Sequence, residues 1–409
     1  MAKEETLPWL NLEFLENILR KAKNDDSIRV IDIFSKPATA KGDNYTSDMY
    51  RILLEISCKQ AGGQEVTKKT SLIVKVAPTG DTLKKDLIEK SMIFDTEMSM
   101  MMNLLKKMND LVGPDHILGA RIFYVRKEHP VFLVIEDLAP LGFRMADRQA
   151  GLDLTHCLLA MRGLARFHAS SLAICEKEPN QKTIYTRGIY YNGHPPELTS
   201  FFSLGVKSLA AQVKNWPNFE KYAEKIDKIS DKLYFETCKV IKQRDDEFNV
   251  INHGDFWVNN MMFRYNEERK PIDHIFVDFQ LCVYGSPALD LQYFLSTSPN
   301  NEVYENDRET LIKEYYSTLC NMMKQLDCKT SPPSMEKLQK RINDYEIVAM
   351  ISSFAILPLV LIDRNEAKDI NEIMGTDGGY DDSAYKTDIY RKVICKRIPY
   401  YDQLGLLDI

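Results

Sequence analysis

No two of the chain's eight cysteines form a C-x-x-C pair, which argues against a thiolate zinc site and a dense disulfide scaffold. Reduced thiols in the cytosol are the expectation. Positive charge is not in excess either. With 53 Lys and Arg against 59 Asp and Glu, the net charge of -6 offers no general attraction to nucleic acid or anionic lipid, and neither is expected as a partner. Met1-Ala2-Lys3-Glu4-Glu5 leads into a mixed polar and apolar segment, not the unbroken apolar stretch of a secretory signal. No membrane span is expected. The charge-free run from Ile347 to Ile362 is shorter than the roughly 20 apolar residues a span needs, and it contains Ser352, Ser353 and Pro358. It reads as a buried helix. Internal repeats and low-complexity tracts are missing too.

What is present is an ordinary globular composition, 44% hydrophobic and 27% charged, in 409 residues. That length exceeds what one hydrophobic core usually sustains, so two lobes with a cleft between them are expected. Leu12, Leu15, Ile18 and Leu19 mark one face of a helix over Leu7 to Lys23. From Ile28 to Val76 three strand-like runs follow, and then one long helical pattern from about Lys85 to Met108. Two more strands, ARIFYVR and VFLVIED, flank a turn at Lys127-Glu128-His129-Pro130. Thereafter helices dominate, near Leu154 to Ala173, Pro217 to Arg244 and Arg308 to Leu326, with short strand pieces ending at Phe263 and Val277. The order predicts an α+β, two-lobed protein-kinase-like fold. Its small lobe, residues 1–136, would hold a five-stranded antiparallel sheet and one helix; the larger lobe, 137–409, would be mostly helical.

The most specific segment is Val250 to Asn260, VINHGDFWVNN, which carries His-x-Asp-x-x-x-x-Asn. An apolar strand pattern ending in Asp278 follows it. Phosphoryl transfer needs a carboxylate beside the attacking hydroxyl, and amide and carboxylate oxygens for Mg²⁺ on the ATP phosphates. Asp255, Asn260 and Asp278 suit those parts in turn. Taken singly, each has a plain reading: His253 and Asp255 capping a turn, and Asp278 ending a strand.

The segments HGDFWVNNMMF and FVDFQLCVYGSPALDL resemble the ecdysteroid kinase-like family, which is related to choline kinases and aminoglycoside phosphotransferases. The resemblance implies a kinase-like fold, ATP as donor and a small alcohol as acceptor. It implies Asp255 as the catalytic residue, Asn260 and Asp278 as metal ligands, and Asp290 as a buried brace for the catalytic loop. The turn Ala40 to Ser47 is similar to that family's G-D-N-Y-x-S nucleotide loop, which makes Gly42, Asn44, Tyr45 and Ser47 candidates for the nucleotide, although Gly42 is its sole glycine.

Lys75 ends the apolar run Ser71-Leu72-Ile73-Val74, where a strand lysine reaches the α- and β-phosphates. Its plain reading is a snorkelling edge lysine. Glu97 is its expected ion-pair partner, with Glu89 the alternative. Glu136 and Leu138, at the end of the last small-lobe strand, are expected to meet adenine through the backbone, while His168 reads as a packed structural histidine. Gly254 stands where protein kinases carry an arginine, and no Ala-Pro-Glu follows Asp278. A small-molecule hydroxyl acceptor is therefore expected over a peptide. The aromatic stretches Ile184 to Tyr191 and Phe201 to Leu204 are candidates for an apolar, steroid-sized pocket. Two alternatives remain open: an amino-alcohol kinase of choline or ethanolamine type, with Trp257, Tyr284 and Tyr293 caging the cation, and a pseudokinase that binds nucleotide without turnover.

Overall fold

The computed structural model describes residues 9–39, 46–60, 62–79, 83–375 and 379–409. Gly42, Asn44 and Tyr45 lie outside the described residues, as does Leu7, the expected start of the first helix.

Helix α1 (Leu12–Lys23) begins at Asn11, whose side chain accepts from the Phe14 N–H at 2.9 Å. It buries Leu15, Ile18 and Leu19 against one face of a sheet built from β1 (Arg29–Pro37), β2 (Asp48–Lys59) and β3 (Glu65–Val76). Along β3 the side chains alternate. Leu72, Val74 and Val76 join the α1 core, while Ile73 and Lys75 face the cleft. Both faces of the strand are covered, which explains its unbroken burial from Leu72 to Val76.

The single helix expected over Lys85 to Met108 is divided. Helix α2 (Leu83–Ser91) stops at Met92, whose φ of 56° is left-handed, and the chain resumes as α3 (Ile93–Ser99), a π turn (Met100–Leu104) and α4 (Leu105–Val112). The cause is a conflict of faces. Ile88 and Glu97 are about two and a half helical turns apart and would point in opposite directions on an unbroken helix. The break lets Ile88 line one cavity while Glu97 reaches another. Strands β4 (Ile122–Arg126) and β5 (Phe132–Glu136) complete an antiparallel sheet of order β1-β2-β3-β5-β4.

Beyond Glu136 the chain is largely helical. It comprises β6 (Phe143–Arg144), α5 (Leu154–Lys177), α6 (Pro196–Val213), α7 (Glu220–Ile229), α8 (Leu233–Val240), β7 (Val250–Asn252), β8 (Met261–Tyr265), β9 (Pro271–Phe276) and β10 (Val283–Gly285). Then come α9 (Ala288–Thr297), α10 (Asn301–Asn306), α11 (Arg308–Gln325), α12 (Met335–Asp344), α13 (Glu346–Ala355), α14 (Leu357–Leu361), α15 (Ile370–Met374) and α16 (Asp388–Gln403). Helix α6 went unread in the sequence, although Pro196 in its first turn is a normal starter. The helix expected over Pro217 to Arg244 is two, separated by a turn at Ser230 to Lys232 in which the Ser230 hydroxyl bonds the Asp227 carbonyl. The charge-free run from Ile347 to Ile362 is buried but breaks at Ile356, because Pro358 has no N–H to continue the ladder. Among the described residues no helix is long and apolar enough to cross a membrane. The architecture is a two-lobed, protein-kinase-like α+β fold, with the five-stranded sheet in one lobe and a helical second lobe carrying two small sheets.

Helix α5 runs through the core of the helical lobe, and at Gly163 it passes directly against the buried His274 ring of β9. A Cβ at Gly163 would fall on that ring. Alanine gains up to about 1 kcal/mol in helix propensity over glycine, whereas overpacking a rigid core costs about 1–3 kcal/mol. Gly163→Ala is therefore expected to lower stability, read as a reduced urea midpoint at unchanged m-value; a raised midpoint would show that the ring yields.

Candidate active site

A loop that carries the candidate catalytic residue Asp255 runs from β7 through His253 to Asn260. Gly254 has φ of 82°, and a Cβ there would collide with the Leu281 carbonyl, so no side chain fits. The loop hangs on the fully buried carboxylate of Asp290, in the first turn of α9. Its oxygens accept the His253 N–H at 2.6 Å and the Gly254 N–H at 2.8 Å. They also face His168 Nε2 at 3.0 Å, and the other nitrogen of that ring lies 2.8 Å from the Tyr315 hydroxyl. Because the carboxylate accepts, Nε2 donates and Nδ1 accepts from the tyrosine. The His253 ring donates to the Val277 carbonyl at 3.1 Å, and burial pushes its pKa down.

Asp255 is held at both oxygens. Asn260 Nδ2 donates to Oδ2 at 2.7 Å and the Tyr293 hydroxyl donates to Oδ1 at 2.8 Å. Loss of surrounding water pushes its pKa up to about 7, against the pull of the Tyr293 hydrogen bond, and the nearby Asp278 charge adds to the rise. Asp278 has a left-handed φ of 65° and places Oδ1 2.9 Å from Lys75 Nζ. Lys75 also lies 2.9 Å from Glu97 Oε1. Burial opposes the charge on Lys75, but the carboxylates of Asp278 and Glu97 outweigh it and raise its pKa. Glu97 is thus the partner that meets Lys75, while Glu89 faces His129 at 3.6 Å.

Two carboxylates, Glu97 and Asp278, contact this one ammonium, and a third, Asp255, lies near Asp278, so carboxylates outnumber cations at the centre. Asn260 and Asp278 offer hard oxygen donors, and among the described residues no three His, Cys, Asp or Glu side chains form a self-contained metal cage. That donor set fits Mg²⁺, which binds through one or two carboxylates with phosphate and water completing the shell.

Two cavities adjoin here. One lies under the sheet, lined by Met49, Ile73, Lys75, Leu138, Met262 and Val277. Leu138 is buried there, its carbonyl accepting from Leu141 and Phe143, while its N–H donates to none of the described residues. The Glu136 N–H is committed to the Arg121 carbonyl, and its carboxylate pairs with the Arg121 guanidinium at 2.6 Å. Ser47 is buried just ahead of β2. The second cavity is walled by Ile189, Phe201, Phe202, Trp257, Ile356 and Ile373, among others, and reaches Asp255 and Tyr293. Asn260 and Asp278 line both. Of the aromatic candidates, Ile189, Phe201 and Phe202 reach this second cavity, whereas Tyr190 is turned into the core, bonded to Ser352 at 3.0 Å.

Some residues at the site were not legible in the sequence. Asp137 joins Arg51 at 2.8 Å and Ser71 at 2.7 Å, tying the end of β5 to β2 and β3, and Thr46 donates to Gln280 at 2.6 Å across the cleft. These pairs are separated by 86, 66 and 234 positions, beyond any local pattern.

No curated protein matches the chain. The model of the ecdysteroid kinase-like family matches residues 41–328, a span that contains Lys75, the whole loop from His253 to Asn260, Asp278 and the Asp290 brace. With well over half of its length covered, the chain belongs to the ecdysteroid kinase-like family.

Proposed function

We propose that this protein is an ATP-dependent kinase that phosphorylates a hydroxyl of an apolar, steroid-like alcohol. One observation carries the reading: two cavities of different character meet at Asn260 and Asp278, with Asp255 on the far side of that border. The lobes 1–136 and 137–409 would close on the donor between them. Lys75 would hold the α- and β-phosphates while Glu97 keeps it extended, the free Leu138 N–H would meet adenine, and Gly42, Asn44, Tyr45 and Ser47 would cover the phosphates. Mg²⁺ held by Asn260 and Asp278 would neutralise charge on the phosphates. Asp255 orients the acceptor hydroxyl and takes its proton as the oxygen bonds to the γ-phosphorus, ADP leaving with the former bridging oxygen. A carboxylate raised toward neutral pH suits that proton transfer. All eight cysteines are unbridged, and the cytosol fits them.

The amino-alcohol reading is weaker. Tyr284 does not line the acceptor cavity and lies beside Lys182, and the Tyr293 hydroxyl is bound to Asp255. Among the described residues the carboxylates lining that cavity are Asp255 and Asp278, both at its catalytic end, and none of the described lining residues at the apolar end offers a counter-charge for a quaternary ammonium. A pseudokinase reading must explain why Lys75, Asp255, Asn260 and Asp278 are all present at one centre.

Hydroxysteroids, other apolar alcohols and choline should be offered with ATP and Mg²⁺ and the products read by mass spectrometry. A phosphorylated hydroxysteroid, formed with little dependence on salt, is expected; choline phosphate alone would defeat the acceptor assignment and leave the kinase standing. Asp255→Asn is expected to bind ATP with near-parental affinity while turnover falls about 100-fold or more. Undiminished turnover would remove Asp255 from the mechanism. For Asp278→Ala, the Mg²⁺ concentration giving half-maximal rate should rise, and an unchanged Mg²⁺ titration would count against Asp278 as a ligand.

A further inference from the structure

Helix α9 is buried along its whole length, from Ala288 to Thr297. It is fixed from the side as well: Gln292 donates to the Ile342 carbonyl at 2.6 Å and accepts from Arg308 at 3.0 Å. On this rigid element two residues three positions apart share a face. Asp290 accepts the backbone N–H groups of His253 and Gly254, and Tyr293 donates its hydroxyl to Asp255 Oδ1 at 2.8 Å. One helix therefore fixes both the loop that carries the catalytic carboxylate and the carboxylate itself.

We propose that Tyr293 is a positioning residue for phosphoryl transfer, its hydroxyl setting the orientation of the Asp255 carboxylate toward the acceptor cavity. The proposal rests on the reading of Asp255 given above. A phenylalanine would fill the same volume, so packing alone gives the hydroxyl no task. The ring is 2% exposed, and its oxygen meets the one side chain placed to take the acceptor's proton. Asn260 holds the other oxygen, Oδ2, and the Trp257 side chain adds a further hydrogen bond, so the carboxylate is fixed by donors from its own loop and by Tyr293 from α9. Asn260 would meet a metal through Oδ1, and its Nδ2 is divided between the Asp255 carbonyl and carboxylate. The Tyr293 hydroxyl is given to the carboxylate. Asp255 and Tyr293 both line the acceptor cavity, so the fixed carboxylate keeps its remaining lone pairs available there. A misplacement of a catalytic group by about 1 Å costs on the order of 100-fold in rate, the scale on which losing this tether should act.

The test is a double-mutant cycle of Tyr293→Phe and Asp255→Asn in the full-length protein, reading ADP release with water as acceptor and phosphorylated product with a hydroxysteroid. Binding of Mg²⁺-ATP and thermal midpoints serve as controls for folding. In Tyr293→Phe, kcat should fall about ten- to hundredfold with KM for ATP changed less than about twofold. On the Asp255→Asn background the same substitution should cause no further loss, because there is no carboxylate left to orient. Parental turnover in Tyr293→Phe, beside an impaired Asp255→Asn, would overturn the proposal while leaving Asp255 in its role. A loss that adds in full on the Asp255→Asn background, or one matched by weaker ATP binding, would reduce Tyr293 to a structural residue. Undiminished turnover in Asp255→Asn itself would overturn the reading of Asp255 and the proposal together.

Discussion

A buried ammonium shared by two carboxylates is the interaction on which the site depends. Lys75 comes from β3, Glu97 from α3 and Asp278 from the segment after β9, so a single charged group connects the sheet, its flanking helix and the helical lobe. Lys75 and Glu97 are each 2% exposed. Burying such ions costs several kcal/mol each, and removing one partner costs about 3–5 kcal/mol because the other is left uncompensated. Evolution has little reason to place this arrangement in a core for stability alone. Its use is geometric: Lys75 is held extended at the cleft between Glu97 and one oxygen of Asp278.

The helical lobe supplies the complementary constraint. Beyond the hydrogen bonds inside the loop from His253 to Asn260, its geometry is fixed by neighbours: the Asp290 carboxylate under the backbone, the Val277 carbonyl under the His253 ring, and the Leu281 carbonyl pressed against Gly254. The His168 and Tyr315 rings extend the support to α5 and α11. A loop braced in this way can hold a carboxylate partly stripped of water without collapsing around it.

The parts legible in the sequence were those with local signatures. Alternation fixed the strands, and the spacing from His253 to Asn260 followed by an apolar run to Asp278 marked the loop before any coordinates. What escaped is what three-dimensional competition decides. The break at Met92 brings Ile88 and Glu97, which an unbroken helix would point in opposite directions, to two adjoining cavities, and helical periodicity read over Lys85 to Met108 contains no trace of the break. The pairing of Asp137 with Arg51, and that of Tyr293 with Asp255, join positions 86 and 38 apart, where each residue taken alone looks like an ordinary surface charge or core aromatic.

The cavity beside Asp255 has a mixed parentage. Leu87 and Ile88 of α2 come from the small lobe, whereas Ile356, Leu359, Ile370 and Ile373 come from beyond residue 328, where the family match ends. The residues that would perform the chemistry all lie inside that match. The wall thus draws four residues from beyond the match, while Ile189, Phe201, Phe202 and Trp257 lie within it beside the charged groups. Substitution along the part of the wall formed by Ile356, Leu359, Ile370 and Ile373 can reshape the cavity while leaving Lys75, Glu97, Asp255 and Asp278 untouched.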